Sequence, residues 1–381
     1  MIALQGYGIG LKEPARRGSR IFRLSTDDKR PGVLAKQECF LSKDGKFPPA
    51  FAAGLCLGDY VPATGYDHGI WALPEQLLYL GDGDIVRIGE IGEIRVLFRK
   101  NAPMNYFLLT ERCNNLCLMC SQPPKNVLDD YLGDEVEEVI KLVPENTDAI
   151  GFTGGEPALL GGRFLDLIQL ASSYLPNTDL HVLSNGRQFV DASAARRLGA
   201  IGHPRLVLGI PLYSPSPATH DYVVQSKGAF NETVAGLYNL KEAGVRIELR
   251  VVVHRQNFTQ LTRLANFIFR NLTFVEHIAF MGLELTGYAR ANIDSLWIDP
   301  WNYRSVLSEA VLRLYDYGMN VSIYNLPSCL LEQPVRSFSR KSISDWKNEF
   351  VAECATCGAR GECCGFFASA GMRQNSHITA L

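Results

Sequence analysis

No run of about 18 consecutive apolar residues occurs in this chain of 381, which argues against a transmembrane helix. Met1 to Arg17 has no positive-then-apolar pattern, so no signal peptide is expected and a reducing, cytoplasmic location is. Neither sign of charge is in surplus: 38 lysines and arginines face 40 aspartates and glutamates, a net −2. Global electrostatics therefore favours neither nucleic acid nor an anionic membrane surface as partner. The hydrophobic share of 46% and charged share of 20% are those of an ordinary globular protein. The length suits one large barrel with appendages, or two to three domains.

Cysteine is not scarce, but ten of them in a reducing compartment are not a disulfide framework. Cys39 and Cys56 stand singly among apolar neighbours and read as buried thiols without a role. The others cluster as Cys113, Cys117 and Cys120, then Cys329, Cys354, Cys357, Cys363 and Cys364, a pattern that reads as metal binding. The stretch Thr110 to Cys120, T-E-R-C-N-N-L-C-L-M-C, sets three thiolates on one short loop as C-x3-C-x2-C. Cubane iron–sulfur clusters usually take four thiolates, so three imply one iron open to a ligand that is not protein. The alternative is zinc or buried free thiols, but zinc loops usually read C-x2-C and come in two pairs.

Residues 1–102 read as a β-rich region. Gly6-Tyr-Gly8-Ile-Gly10 is expected to be a turn, and Asp82-Gly83 a hairpin turn. Ile94, Val96 and Phe98 alternate with Glu93, Arg95 and Arg99 as a half-buried strand. A domain that buttresses the rest is expected; docking of a partner or peptide on an exposed strand edge is the second reading. From about Pro103 strands and helices alternate. Strands are expected at 106–109, 149–153, 179–183, 206–212, 246–253 and 277–281, with helices at 134–143, 163–174, 191–198, 230–243 and 258–271. Six such units with short connections describe a parallel sheet that right-handed crossovers curl into a barrel. In such folds the carboxyl ends of the strands carry the chemistry, and the cysteine loop follows the first of them.

The cysteine loop resembles that of the radical S-adenosylmethionine (radical SAM) enzymes, in which C-x3-C-x-aromatic-C binds a [4Fe–4S] cluster. The resemblance implies an α/β fold: a partial (β/α)6 TIM-like barrel over 103–290, between the N-terminal β-rich domain (1–102) and a Cys-rich C-terminal extension (291–381). It makes Cys113, Cys117 and Cys120 the catalytic cluster ligands and leaves the open iron to S-adenosyl-L-methionine. Met119 stands where the family has an aromatic residue, a position used near adenine through its backbone. Gly154-Gly155-Glu156-Pro157 is similar to the family's G-G-E-P motif and takes over its role of holding the methionine amino group. By likeness to an S/T-N-G turn, Ser184 and Asn185 are placed near the ribose or the methionine carboxylate, although Asn-Gly is also a good turn in its own right. His220-Asp221 and Lys227 to Phe230 resemble the "HD…RG…GSF" stretch of peptide-modifying members. A helix entry loop explains them equally, and His220 is given no catalytic role. Arg250 faces into the barrel or out of it.

Beyond Met281, Gly287-Tyr-Ala-Arg290 resembles the turn that closes related barrels. A helix over 301–317 and a strand over 320–324 follow. Cys329 with Cys354-x2-Cys357-x5-Cys363 resembles the auxiliary-cluster (SPASM or twitch-like) extensions of radical SAM maturases; four thiolates also suit structural zinc. Cys364 is the spare. The stretch Arg340 to Glu349 and the loop T-E-R-C-N-N-L-C-L-M-C-S-Q-P-P are similar to maturases of His-Xaa-Ser repeat peptide systems. The implied activity is cleavage of S-adenosylmethionine to a 5′-deoxyadenosyl radical that modifies a ribosomally made peptide. The implied partners are that peptide, a companion radical SAM maturase and an electron donor of flavodoxin or ferredoxin type, with no membrane and no nucleic acid. The other classes left open are a radical enzyme acting on a small molecule or tRNA, and a non-catalytic iron–sulfur or zinc interaction module.

Overall fold

Two eight-stranded sheets organise the chain in the computed structural model, which describes residues 4–12, 19–58, 69–341, 348–372 and 377–381. The first contains β1 (Gln5–Tyr7), β2 (Ile9–Lys12), β3 (Arg20–Ser25), β4 (Glu38–Ser42), β5 (Ala53–Cys56), β6 (Ile70–Ala72), β7 (Ile85–Ile88) and β8 (Glu93–Phe98). Their order is β1-β8-β7-β3-β4-β5-β6-β2. β1 and β2 are one stretch of chain on either side of Gly8, so a single segment pairs with β8 at one end of the order and β6 at the other. A Cβ on Gly8 would meet the Ala72 carbonyl at 3.0 Å and the Ile94 side chain at 3.1 Å. Glycine lets the chain pass between the two strands. This corrects the turn expected at Gly6–Gly10. It also closes the sheet on itself, and among the described residues it takes up the edges that a docked peptide would have extended.

The hairpin expected at Asp82-Gly83 lies elsewhere. Gly83 donates its N–H to Leu24 and the Asp82 carboxylate accepts from Thr26, which ties that turn to β3. The β7–β8 hairpin turns instead through Gly89–Gly92, with Gly92 in the left-handed region at φ 81°. In β8, Ile94, Val96 and Phe98 are buried as their alternation predicts.

The second sheet is parallel and runs in chain order: β9 (Asn105–Leu108), β10 (Ala149–Thr153), β11 (Asp179–Leu183), β12 (Leu206–Pro211), β13 (Arg246–Val252), β14 (His277–Met281), β15 (Val321–Tyr324) and β16 (Ser339–Arg340). Six strands were expected in the barrel and eight are present. The stretch 320–324 was expected in the extension, but Val321 and Ile323 continue the apolar alternation and pair β15 with β14. After the short α1 (Gly32–Ala35), the helices that cover the strands are α2 (Tyr131–Ile140), α3 (Gly162–Tyr174), α4 (Ala192–Ala200), α5 (Pro217–Val224), α6 (Ala229–Glu242) and α7 (Leu261–Asn271). Three more follow: α8 (Gly287–Ala291), α9 (Ile293–Leu296) and α10 (Pro300–Asp316).

Strand parity divides the barrel residues. Phe107, Phe152, Val182, Leu208, Leu249 and Phe280 face the helices, where they share one core with Val136, Leu167, Leu237 and Leu264. The alternate positions, among them Tyr106, His181, Glu248, Arg250 and His277, face inward and are only partly buried. The interior is therefore a polar lumen that opens where β9 to β14 end. Ile85 and Phe98 of the first sheet belong to the same core as the barrel. Across that junction the nearly buried carboxylate of Glu135 on α2 takes Arg87 at 2.9 Å and Arg95 at 3.3 Å. Glu135→Ala leaves two half-buried guanidinium groups facing each other. It is expected to lower unfolding free energy by about 2 kcal/mol, read as a shifted urea midpoint; an unchanged midpoint would mean that the bridge is only decorative.

Candidate active site

The cysteine loop leaves β9 and has little regular structure of its own, so its shape comes from what it touches. The buried Asp129 carboxylate accepts from the Thr110 hydroxyl at 2.9 Å and the Glu111 N–H at 2.5 Å, and pairs with Arg112 at 3.0 Å. Leu116 and Leu118 donate their N–H groups to Val224 and Val223 at the end of α5. The Leu118 carbonyl accepts from the Asn292 amide, and the Cys120 carbonyl from the Tyr288 N–H. Gly287 permits that last approach: a Cβ there would sit 2.5 Å from the carbonyls of both Cys120 and Ser121. Arg187 spans the other side. It reaches the Asn114 carbonyl at 2.6 Å, the Asn115 side chain at 2.7 Å, Ser226 at 3.0 Å and Glu232 at 2.6 Å.

A cavity of about 240 Å³ lies beside the loop at the strand ends. Cys113, Cys117, Cys120, Gly154, Gly155, Ser184, Asn185, Tyr213 and Arg250 are among its lining residues. Met119, Glu156 and Pro157 are not. The Met119 side chain is buried among Tyr213, Val223, Val224, Ala289 and Leu296. Glu156 is fully buried behind the wall, accepting from the Ser184 hydroxyl at 2.7 Å and from the N–H groups of Asn185 at 2.5 Å and Ala158 at 3.0 Å. Its carboxylate thus joins β10 to β11, and burial pushes its carboxyl up against the pull of those donors. The two glycines serve contact between loops: a Cβ on Gly154 would lie 2.5 Å from the Thr110 carbonyl, and one on Gly155 2.1 Å from that of Arg112. Asn185 reaches the loop as well, donating its amide to Asn114 at 2.6 Å.

Burial raises all three loop thiols, Cys113 to about 11, and their neighbouring negative charges add to the rise for Cys113 and Cys117. The Cys120 thiol donates to the Gln122 carbonyl at 2.9 Å. The unliganded chain therefore holds protonated thiols, and taking up a metal would release protons. Among the described residues no three His, Cys, Asp or Glu side chains are gathered closely enough to hold a metal ion. The donor set still fits a cluster with one open iron: three thiols on one cavity wall beside two residues without side chains.

The remaining expectations fall as follows. His220 is buried, stacks on Tyr213 and accepts from its N–H, with burial holding the imidazole down at about 4. Asp221 caps α6 by accepting from Gly228 and Phe230. Arg250 faces inward. In the extension, Cys329 sits on the short turn Ser328–Leu330, and the Ser328 N–H points to the Cys363 sulfur at 3.4 Å. Cys364 is buried and donates to the Gly365 carbonyl at 3.3 Å, and its neighbour Cys363, which accepts from the N–H groups of Ser328 and Gly365, has its thiol lowered by Cys364 first and by those donors. The Leu381 N–H reaches the Cys357 sulfur at 3.3 Å. Most of the Arg340–Glu349 stretch, residues 342–347, lies outside the described residues.

Arg187 and Asp129 were not singled out by sequence, because their importance lies in partners up to 73 residues away. Arg187→Ala removes four contacts at once, two of them to the loop and two to the residues before and in α6. It is expected to cost about 3 kcal/mol and to lower iron uptake by the reconstituted protein, with Arg187→Lys rescuing only part because it lacks the planar fork. Full iron loading in Arg187→Ala would contradict this account of the loop.

The family model of the radical SAM superfamily matches residues 107–268. The Fe-coproporphyrin III synthase of Methanosarcina barkeri is 26% identical over 169 residues, 44% of this chain and 41% of that protein. The sporulation killing factor maturation protein SkfB of Bacillus subtilis is 28% identical over 171 residues, 42% of this chain and 40% of that protein. The chain thus spans about two-fifths of the length of these two relatives. The crystal structure of Streptococcus suis SuiB bound to S-adenosylmethionine aligns with a TM-score of 0.47 at 14% identity, covering 60% of this chain and 51% of that one. The stretch that matches the radical SAM superfamily model therefore runs from the first strand of the parallel sheet, through the cysteine loop, to the helix that follows β13.

Proposed function

We propose that the protein is a radical SAM enzyme that modifies a ribosomally made peptide, with a His-Xaa-Ser repeat precursor as the first candidate. The observation that carries the reading is the shared cavity: three loop thiols and the Gly154-Gly155 turn meet at the carboxyl ends of parallel strands. Cys113, Cys117 and Cys120 would hold a [4Fe–4S] cluster, and Cys329, Cys354, Cys357 and Cys363 a second one. When bound, the first cluster and S-adenosylmethionine supply a 5′-deoxyadenosyl radical. The chain's own part is to orient and enclose: Asp129 and Arg187 fix the loop, Glu156 fixes the strand ends, and Tyr213, Val252 and Met281 give the cavity apolar walls against water. An electron donor of flavodoxin or ferredoxin type, a companion maturase and a cytoplasmic setting complete the proposal. Among the described residues no helix is long and apolar enough to cross a membrane.

The name of SkfB, a maturation protein, supports a peptide substrate, and the Fe-coproporphyrin III synthase supports a second reading in which the substrate is a tetrapyrrole. Anaerobic reconstitution separates the possibilities. About eight irons per chain are expected, falling to about four in Cys357→Ala. With dithionite, S-adenosylmethionine should yield 5′-deoxyadenosine in the wild type and none in Cys117→Ala. A mass shift in a synthetic His-Xaa-Ser peptide supports the first reading, and turnover of Fe-coproporphyrin III instead supports the second. A chain that binds no iron is not a radical SAM enzyme.

A further inference from the structure

The second set of cysteines lies on chain that has almost no core of its own. Residues 351–363 carry Cys354, Cys357 and Cys363, and none of them is buried. Cys329 is better placed, on the turn Ser328–Leu330 after β15, where Ser328 and Leu330 are buried. A stretch without apolar burial takes its geometry from hydrogen bonds and from whatever its side chains bind. Backbone N–H groups converge on these sulfurs. Those of Ser328 and Gly365 both point to Cys363 at 3.4 Å, that of Leu381 to Cys357 at 3.3 Å, and that of Thr379 lies against Cys329. Such donors favour the deprotonated sulfur, the form that ligates a metal.

Two of these four donors come from one short segment, residues 377–381, which has no helix or strand and exposes Thr379, Ala380 and Leu381. Three contacts hold it along its length. The His377 imidazole stacks on the Trp301 ring of α10, with centroids 4.5 Å apart and planes at 15°, and the Arg304 guanidinium lies 3.5 Å from the centre of the same ring. Thr379 meets Cys329. Leu381 pairs with Cys357 and Gly358, donating to the sulfur of the first and accepting from the N–H of the second at 2.8 Å. Glycine suits that place, since a Cβ on Gly358 would press on the Leu381 carbonyl at 3.3 Å. The segment thus runs from α10, over the turn after β15, to the exposed turn that bears Cys357. We propose that residues 377–381 are a backbone clasp of the second cysteine site, holding its exposed half against the barrel and donating to two of its sulfurs. The inference rests on the reading of Cys329, Cys354, Cys357 and Cys363 as one metal site, but not on which metal they take. For an iron–sulfur cluster the clasp raises the potential, because N–H groups aimed at sulfur stabilise the more negative, reduced form.

The test uses the full chain with Cys113, Cys117 and Cys120 replaced by alanine, so that every bound metal belongs to the second site. Thr379→Pro with Leu381→Pro removes both N–H donors at exposed positions, and Thr379→Val with Leu381→Ala keeps them. Circular dichroism confirms that each variant folds. Each chain is loaded anaerobically with iron and sulfide, or with zinc. The donor-free double variant is expected to lose metal to a chelator at least about tenfold faster than the parent, the usual cost of a missing partner to a metal ligand. The donor-keeping control matches the parent, and His377→Ala falls between. With iron, the donor-free variant also has the lower midpoint in a redox titration followed by electron paramagnetic resonance. Equal release rates in all chains overturn the clasp, and faster release at an unchanged midpoint overturns the donation to sulfur. A chain that takes up neither iron nor zinc ends the metal reading, and amide exchange at Gly358 then decides the clasp on its own. Slow exchange in the parent that becomes fast in the donor-free variant supports it, and equal exchange overturns it.

Discussion

The cysteine loop cannot hold its own shape, and the architecture around it follows from that constraint. Three thiols must face one cavity, yet between Leu109 and Asp129 the chain has no helix or strand to fix them. The neighbours do it: the Asp129 carboxylate under Thr110 and Glu111, the end of α5 under Leu116 and Leu118, and α8 under Cys120. Each of these elements sits at the same end of the barrel because parallel strands with right-handed crossovers bring all their carboxyl ends together. The fold is thereby tied to the chemistry through backbone contacts rather than through the reactive groups alone.

Glu156 makes the same point from inside the wall. As a motif residue it reads as part of the turn that holds the methionine amino group, but here it is fully buried and engaged by Ser184, Asn185 and Ala158. A buried carboxylate is tolerated only when its oxygens are satisfied, and satisfying them fastens β10 to β11 just under the cavity. Gly154 and Gly155 in turn let the loop's carbonyls come close enough to pack against that wall. The motif shapes the cavity by holding two strand ends and one loop together.

Much of this was legible beforehand, where the physics is local. β10, β11 and β14 begin and end at the expected residues because their buried apolar runs are bounded by polar turns. The start of α2 was placed a turn late, since the acidic residues from Asp134 onward resembled a first turn while the helix begins at Tyr131. Arg187 and the inward direction of Arg250 depend on strand register and on partners far along the chain, which no local pattern encodes. The closure of the N-terminal sheet was hidden for the same reason. A glycine-rich stretch reads as a turn until its two halves are seen to pair with β8 and β6.

The account stands on the claim that the loop cysteines hold a cluster with one iron left for S-adenosylmethionine. The most direct test is electron paramagnetic resonance of the reduced, reconstituted protein with Cys329, Cys354, Cys357 and Cys363 changed to alanine, recorded before and after S-adenosylmethionine is added. The account predicts a cubane-type signal that changes shape on addition, and no signal once Cys113, Cys117 and Cys120 are replaced as well. A cubane signal that S-adenosylmethionine leaves untouched, or one that survives loss of the loop cysteines, would contradict it.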